Sequence, residues 1–435
     1  MEWWGYLAII LALLSAFFLS GLPVAFSFTL FNFIAAFFWM GGTKAFSMLT
    51  LSAFSSVASF PLVAVPLFIL MGELLFQSGV ITVVLDAAGK WIGGVRGSLS
   101  LMAVAAGTLF GTMSGSAMSG VAVLGSTLAP EMRRRGYSKE MSLGPILGSG
   151  CLAMIIPPSI LAVLLGSLAQ IPVGELLISG IVPGLILATL YALYILVRVR
   201  VQPTMAPAFA TGDPTWGEKI RALVSVLPVG IITLMVWGVI FFGIATPSEA
   251  AAIGVLGALI VMAIFRRLTW RVVRQSVFAT VHVTSMVCLI IMSAAVFGQI
   301  LAFTGVSRTL VSVVTELQLP PLVVMVAMQV TLIMVGTFMD ELAMLLISVP
   351  IYMPIVNALG LDPVWFGLLM LLNLELATIS PPYGLALFVM KGVVPDASMV
   401  DVWKASIPFV ILGATAMALV IAFPPLATWL PGFMR

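Results

Sequence analysis

Charge is what this sequence has least of. Asp, Glu, Lys and Arg together make up 8% of its 435 residues, where a soluble chain carries about 25%. That deficit excludes a water-soluble globular fold. Repeated decads of alternating polarity, the mark of a membrane β-barrel, are also missing, so the chain is read as helical. There are two cysteines, Cys151 and Cys288, and one histidine, His282. Both cysteines fall in apolar segments, which leaves neither a disulfide framework nor a metal site. No P-loop is present, so this chain does not hydrolyse ATP. An intramembrane protease would need a paired-Asp motif, a Ser–His pair or HExxH, and none occurs.

What fills the space is apolar: 62% of residues are hydrophobic, in near-continuous runs of the length, about 20 residues, that a spanning helix needs. Trp3, Trp4 and Tyr6 open the chain like an interfacial belt, and the first run reads as a retained helix rather than a cleaved signal. Helices are expected at about 4–20, 21–40 and 60–78, with a connector carrying Lys44 and several serines before the third. An amphipathic interfacial arm follows at 80–96. Residues 198–221 are the one extended polar loop.

Within this apolar background, 107–159 is dense in Gly, Ser, Thr and Pro. Interruptions of that kind are costly in lipid and persist where irregular backbone is buried or lines a cavity. GTMSGS breaks the middle of 98–130, which suits a re-entrant hairpin of two half-length helices. Ile156-Pro157-Pro158-Ser159 breaks the helix at about 140–170. The same features return later. Gly72-Glu73-Leu74-Leu75 aligns with Gly298-Gln299-Ile300-Leu301, Gly111-Thr112 with Gly336-Thr337, Ile156-Pro157-Pro158-Ser159 with Ser380-Pro381-Pro382-Tyr383, and Pro23 with Pro247, at offsets of 226, 225, 224 and 224. The reading is an all-α integral membrane protein of two repeats. The first spans 1–197, a cytoplasmic linker 198–221, and the second 222–435, with its hairpin at about 320–353 and its broken helix at about 363–392.

A hairpin returns to its own side, so each half crosses five times and the second half is inverted. Charge fits this topology: 16 of the 19 basic residues fall on one side, and only Lys44, Arg308 and Arg435 on the other. By the positive-inside rule the basic side is the cytoplasm, which places both termini outside.

Ser114, Gly115, Ser116 and Ser119 occupy the first hairpin tip, and Gly148, Ser149, Gly150 and 156–159 the first break. Hydroxyls and unwound carbonyls there can replace the water shell of a small cation. The plainer reading is that small residues permit close helix packing. The second cluster, Gly336 to Glu341 with Thr378 to Pro382, adds acid at membrane depth: Asp340, Glu341 and, before the break, Glu375. Such acids are functional by default, although Asp340 also suits a helix N-cap. Thr246-Pro247-Ser248-Glu249 reads as a helix start.

VPLFILMGELL, GTLFGTMSGSAMSGVAVLGS, ATPSEAAAIG, GTFMDELAMLLISVPIYMPI and ISPPYGLALFVMKGV resemble the large membrane subunit of TRAP (tripartite ATP-independent periplasmic) transporters, over nearly the whole chain. The resemblance implies a multi-pass subunit of the bacterial inner membrane that imports a small organic anion, a carboxylate or sulfonate, with Na⁺ as coupling ion. It implies a periplasmic substrate-binding protein and a small four-helix membrane subunit (Q type) as partners. It implies an elevator, in which hairpins and broken helices slide against scaffold helices. One Na⁺ site would use Ser114, Ser116, Gly150 and the Ile156 and Pro157 carbonyls. The other would use Gly336, Thr337, Asp340, Thr378 and the Ser380 and Pro381 carbonyls. The anion would lie between the tips, near Gly115, Ser119, Pro158, Ser159, Glu341 and Pro382. The chain departs from the resemblance at Glu375 and Ala377, in a run where a Gly is expected; a carboxylate there would alter ion stoichiometry or admit proton coupling. The rival reading is a stand-alone Na⁺- or H⁺-coupled anion symporter. The substrate itself is left open.

Overall fold

The computed structural model describes residues 2–92, 94–114, 117–207, 215–337 and 339–434, without the side chains of residue 81 and of residues 110–114. Helices carry nearly all of it. The first half runs α1 (Trp3–Leu19), α2 (Val24–Trp39), α3 (Thr43–Val57), a tight turn Phe60–Val63, α4 (Ala64–Gln77) and α5 (Val80–Ile92). It continues with α6 (Ser98–Ser114), α7 (Ala117–Arg134), α8 (Lys139–Cys151), α9 (Ile160–Ala169), α10 (Val173–Ser179) and α11 (Ile181–Val201). The second half has α12 (Trp216–Phe241), α13 (Pro247–Ile264), α14 (Trp270–Phe303), α15 (Val306–Glu316), α16 (Pro321–Gly336) and α17 (Glu341–Ala358). It ends with α18 (Pro363–Ile379), α19 (Leu385–Val393), α20 (Met399–Ala422) and the short α21 (Pro425–Thr428). Seven segments among the described residues are long and apolar enough to cross a membrane.

The order long helix, short arm, helix pair, interrupted helix and long helix occurs twice. Both arms are hinged on a glycine in the left-handed region, Gly79 (φ +67°) before α5 and Gly305 (φ +75°) before α15, a conformation that side chains disfavour. The interrupted helices are too short to span alone. The 13 residues of α8 and the 10 of α9 extend about 20 and 15 Å, against a hydrocarbon core of about 30 Å. At both interruptions the Pro-Pro peptide bond is cis, Pro157–Pro158 and Pro381–Pro382.

Two things differ from the sequence reading. The connector expected before the third helix is itself α3. Its hydroxyls are satisfied within the helix, Ser47 donating to the Lys44 carbonyl, Thr50 to Phe46, Ser55 to Ser52 and Ser56 to Ala53, so serines do not stop it. The helix stops instead at Ala58-Ser59-Phe60-Pro61, whereas its counterpart α14 runs unbroken for 34 residues. The polar stretch 198–221 is also helical at both ends: α11 continues to Val201 and α12 begins at Trp216. Thr215 and Glu218 close a capping box there, as do Thr246 with Glu249 and Ser398 with Asp401. The expected helix start at Thr246 is thus present, with Pro247 in first position.

Packing divides the helices by role. The α4 helix lies on α13 and α14, and α14 also packs against α2 and α3. Separately, α8 is gripped by α6, α7 and α20, while α18 is held by α16, α17 and α20. The segment just before the first break rests on α18. The two helix pairs and the two interrupted helices therefore form one mass, with both interruptions inside it.

Candidate functional site

The first interruption is built by close approach. A Cβ on Gly150 would come within 2.8 Å of the Val121 amide nitrogen, and one on Gly120 within 2.9 Å of the Gly150 carbonyl oxygen. Gly107 is equally tight, 2.6 Å from Ser149 Cβ. Glycine at these points lets α6 and α7 lie directly against α8. After Cys151 the chain makes a tight turn, Leu152–Met154, then leaves helical form. Gly180 and Gly184 of the following span close over Ile155 and Ile156. Ser159 caps α9: its hydroxyl accepts from the Ala162 amide at 3.1 Å and donates to the Met154 carbonyl at 2.6 Å. Ser159 and Pro158 are both buried. The Pro157 carbonyl accepts the indole N–H of Trp237, on α12, at 2.8 Å.

Gly115 and Ser116 lie outside the described residues, as does the side chain of Ser114. Ser114 ends α6, and Ser119 stands in the first turn of α7. The structure thus places Gly150, Ile156, Pro157, Pro158 and Ser159 together at one break.

The second interruption shows its oxygen atoms more openly. A Cβ on Gly384 would collide with the carbonyl of Thr378 and come within 2.9 Å of the Ser380 carbonyl oxygen. The carbonyls of Thr378, in the last turn of α18, and of Ser380, just beyond it, therefore converge where Gly384 leaves room, and the Ser380 oxygen accepts the Gly384 amide at 3.0 Å. Thr378 donates to the Leu374 carbonyl at 2.6 Å and lies 3.5 Å from Glu341 Oε2. Ser380 donates to Leu376 at 2.6 Å. Gly336 ends α16 against Met344 and Ala377, whose Cβ would lie 2.7 Å from an added methyl. Thr337 donates to Met334 at 2.8 Å. Asp340 is the N-cap of α17, accepting from Leu342 and Ala343 at 3.2 and 3.4 Å, as its place before a helix predicts. Pro382 is exposed and Pro381 half-buried.

The two breaks meet. Thr378 Oγ1 lies 3.9 Å from the sulfur of Met154, so the second break, the Glu341 end of the second helix pair and the turn before the first break share one region. Oxygen donors held at helix ends, with no lysine or arginine among them, suit a small hard cation.

Other polar partners were not singled out by sequence. Tyr191, fully buried on α11, donates to Glu375 Oε1 at 3.1 Å. The other oxygen of Glu375 has no partner among the described residues, so the one side-chain bond of the acid there ties α18 to α11. Asn373 donates to both the backbone and side-chain oxygens of Gln329, at 2.8 and 2.9 Å, tying α18 to α16. Trp237 reaches the first break from a helix about 80 residues away in sequence, and only its aromatic character in an apolar run hinted at a role. His282 is exposed on α14 rather than packed.

The family model described as "Tripartite ATP-independent periplasmic transporter, DctM component" matches residues 11–426. The C4-dicarboxylate TRAP transporter large permease protein DctM of Pseudomonas aeruginosa is 32% identical, covering 89% of this chain and 90% of that protein. The ectoine TRAP transporter large permease protein TeaC of Halomonas elongata is 30% identical, covering 97% and 98%. Among solved structures, the YdaH transporter of Alcanivorax borkumensis superposes with a TM-score of 0.65 at 14% identity, over 89% of this chain and 91% of that one, which is a likeness of fold.

Proposed function

The chain belongs to the DctM-component family of tripartite ATP-independent periplasmic transporters, as a multi-pass large permease subunit, and on that premise we propose that it is a Na⁺-coupled importer of a small organic anion. The observation that carries the reading is the meeting of the two breaks, with the Thr378 and Ser380 carbonyls converging beside Gly384 and Thr378 linking Glu341 to Met154. Na⁺ would be held at one site by Ser114, Ser116, Gly150 and the Ile156 and Pro157 carbonyls. At the other it would be held by Gly336, Thr337, Thr378 and the Ser380 and Pro381 carbonyls, with Asp340 fixing the start of α17. The solute lies between the helix-pair tips. It is delivered by a periplasmic binding protein, while a small membrane subunit braces the scaffold. The relatives named above move different solutes, so the substrate class rests on chemistry: a site without cations reads the solute through hydroxyls, backbone and bound Na⁺.

Transport follows an elevator scheme. The mass holding both breaks moves against α4, α13 and α14 within the bacterial inner membrane, both chain termini lying outside. In proteoliposomes containing the chain and its partners, replacing external Na⁺ by K⁺ abolishes uptake; uptake indifferent to the exchange ends the proposal.

A further inference from the structure

The break between α3 and α4 has no counterpart in α14, and it stands beside open space. A cavity of about 790 Å³ is lined there by Ser55, Ser56, Ser59, Ser167, Gln170 and Asn357. Across it lie Ala294, Ala295 and Gly298 of α14 and the face of α17 from Leu345 to Asn357. A second cavity, about 390 Å³, adjoins it, sharing Ser59, Ser167 and Gln170 and reaching Thr246 and Ser248. Helix geometry gives the depth. Leu345 to Asn357 spans about 18 Å along α17, more than half of a hydrocarbon core of about 30 Å. The inner end comes within one turn of Glu341, the start of that helix. The outer end, at Gln170 and Asn357, lies where the chain turns on the side poor in basic residues.

Three observations give this crevice a role. First, irregular backbone inside a membrane is tolerated where it lines a water-filled cavity, and the chain is irregular at Ala58 and Ser59, with Ser59 on the wall of both cavities. Second, the wall of the larger cavity carries neutral hydrogen-bonding groups, those of Ser55, Ser56, Ser59, Gln170 and Asn357. Third, among the described residues no charged one lines either cavity. The volume suits a small organic solute. The walls belong to different groups of helices, α3 and α14 on one side and α9 and α17 on the other.

We propose that this crevice is the outer entrance for the solute, a vestibule that receives small polar organic molecules through neutral hydroxyl and amide groups and applies no charge filter. Selection by charge then falls to the ions and oxygen atoms deeper at the breaks. This rests on the transporter reading above, and it adds a site, a side and a mode of selection.

The test uses the whole chain in oriented proteoliposomes, with Cys288→Ser removing the half-buried native thiol and the buried Cys151 retained. Ser59→Cys and Ser167→Cys are exposed separately to two membrane-impermeant methanethiosulfonates, the anionic sulfonatoethyl and the cationic trimethylammonioethyl reagents. Leu256→Cys, exposed on α13 facing lipid, is the control. Both crevice thiols are expected to be lost to reagent added outside, Leu256→Cys to persist, and the anionic and cationic rates, each divided by that reagent's rate with a free thiol in water, to agree within a factor of about 2, as an uncharged approach dictates. No reaction at either crevice position, or reaction from inside alone, overturns the entrance. A normalised rate ratio of about 10 or more overturns the absence of a charge filter. These outcomes are read without Na⁺ or substrate, so they stand apart from the K⁺ exchange that tests the proposed function.

Discussion

The proposed second Na⁺ site turns on the contacts of Thr378. Its hydroxyl is tied to Leu374 and lies near Glu341, and its carbonyl is one of the pair converging by Gly384. Thr378→Val keeps the shape and removes the hydroxyl. It is expected to raise the Na⁺ concentration for half-maximal uptake about tenfold, which corresponds to about 1.4 kcal/mol, while Thr378→Ser stays near the parent. Equal Na⁺ activation in both variants removes Thr378 from the site. The Ser114→Ala/Ser116→Ala double variant is expected to weaken Na⁺ dependence before it lowers thermal stability; unchanged activation would return that tip to mere close packing. Tyr191 gives a structural prediction. It is the hydrogen-bond partner of a fully buried acid, and Tyr191→Phe leaves that acid unsatisfied at a cost of about 1–3 kcal/mol. Thermal unfolding in detergent should show the loss, with Na⁺ activation of the remaining folded protein unchanged.

At the scale of elements, the bond from Trp237 to the Pro157 carbonyl joins α12 to the first break. It is about 0.5–1.5 kcal/mol of net stabilisation, enough, under the proposed elevator scheme, to bias an equilibrium between two positions of the mass holding the breaks by up to about tenfold. Trp237→Phe removes the N–H and keeps the ring. Cross-linking that reports the position of the first break relative to α12 should therefore shift its populations, and identical cross-linking yields would show that the bond does not hold the position. Helix pairs expected at 98–130 and 320–353 run to Arg134 and Ala358, and interrupted helices lie at 139–169 and 363–393. Pro and Gly act on the local backbone, so their effect can be read locally. The serine-rich start of α3 was misread because hydroxyls in helices bond back to their own carbonyls, which composition does not reveal.

Across the whole molecule, the positive-inside rule turns charge asymmetry into a proposed orientation. In that topology sixteen of the 19 lysines and arginines share the cytoplasmic face. Gly217, at the start of α12, stands in open space and belongs to that face in the proposed topology, and Leu319, before α16, is exposed and belongs to the other. In cells, Gly217→Cys is expected to resist an impermeant maleimide until the membrane is opened, and Leu319→Cys to react at once. The reverse pattern would invert the topology.

The sequence by itself determined class, element order, the twofold recurrence and the two breaks, because hydropathy, glycine and proline constrain the chain over a few residues at a time. It also carried the family. Only the tertiary structure decided what meets what. It put Met154 beside Thr378, 224 residues away, tied Glu375 to Tyr191, brought Trp237 to Pro157, and opened an uncharged crevice where α3 ends and α14 does not. Such contacts depend on how helices distant in sequence pack side by side, and no local rule of spacing or polarity encodes that choice.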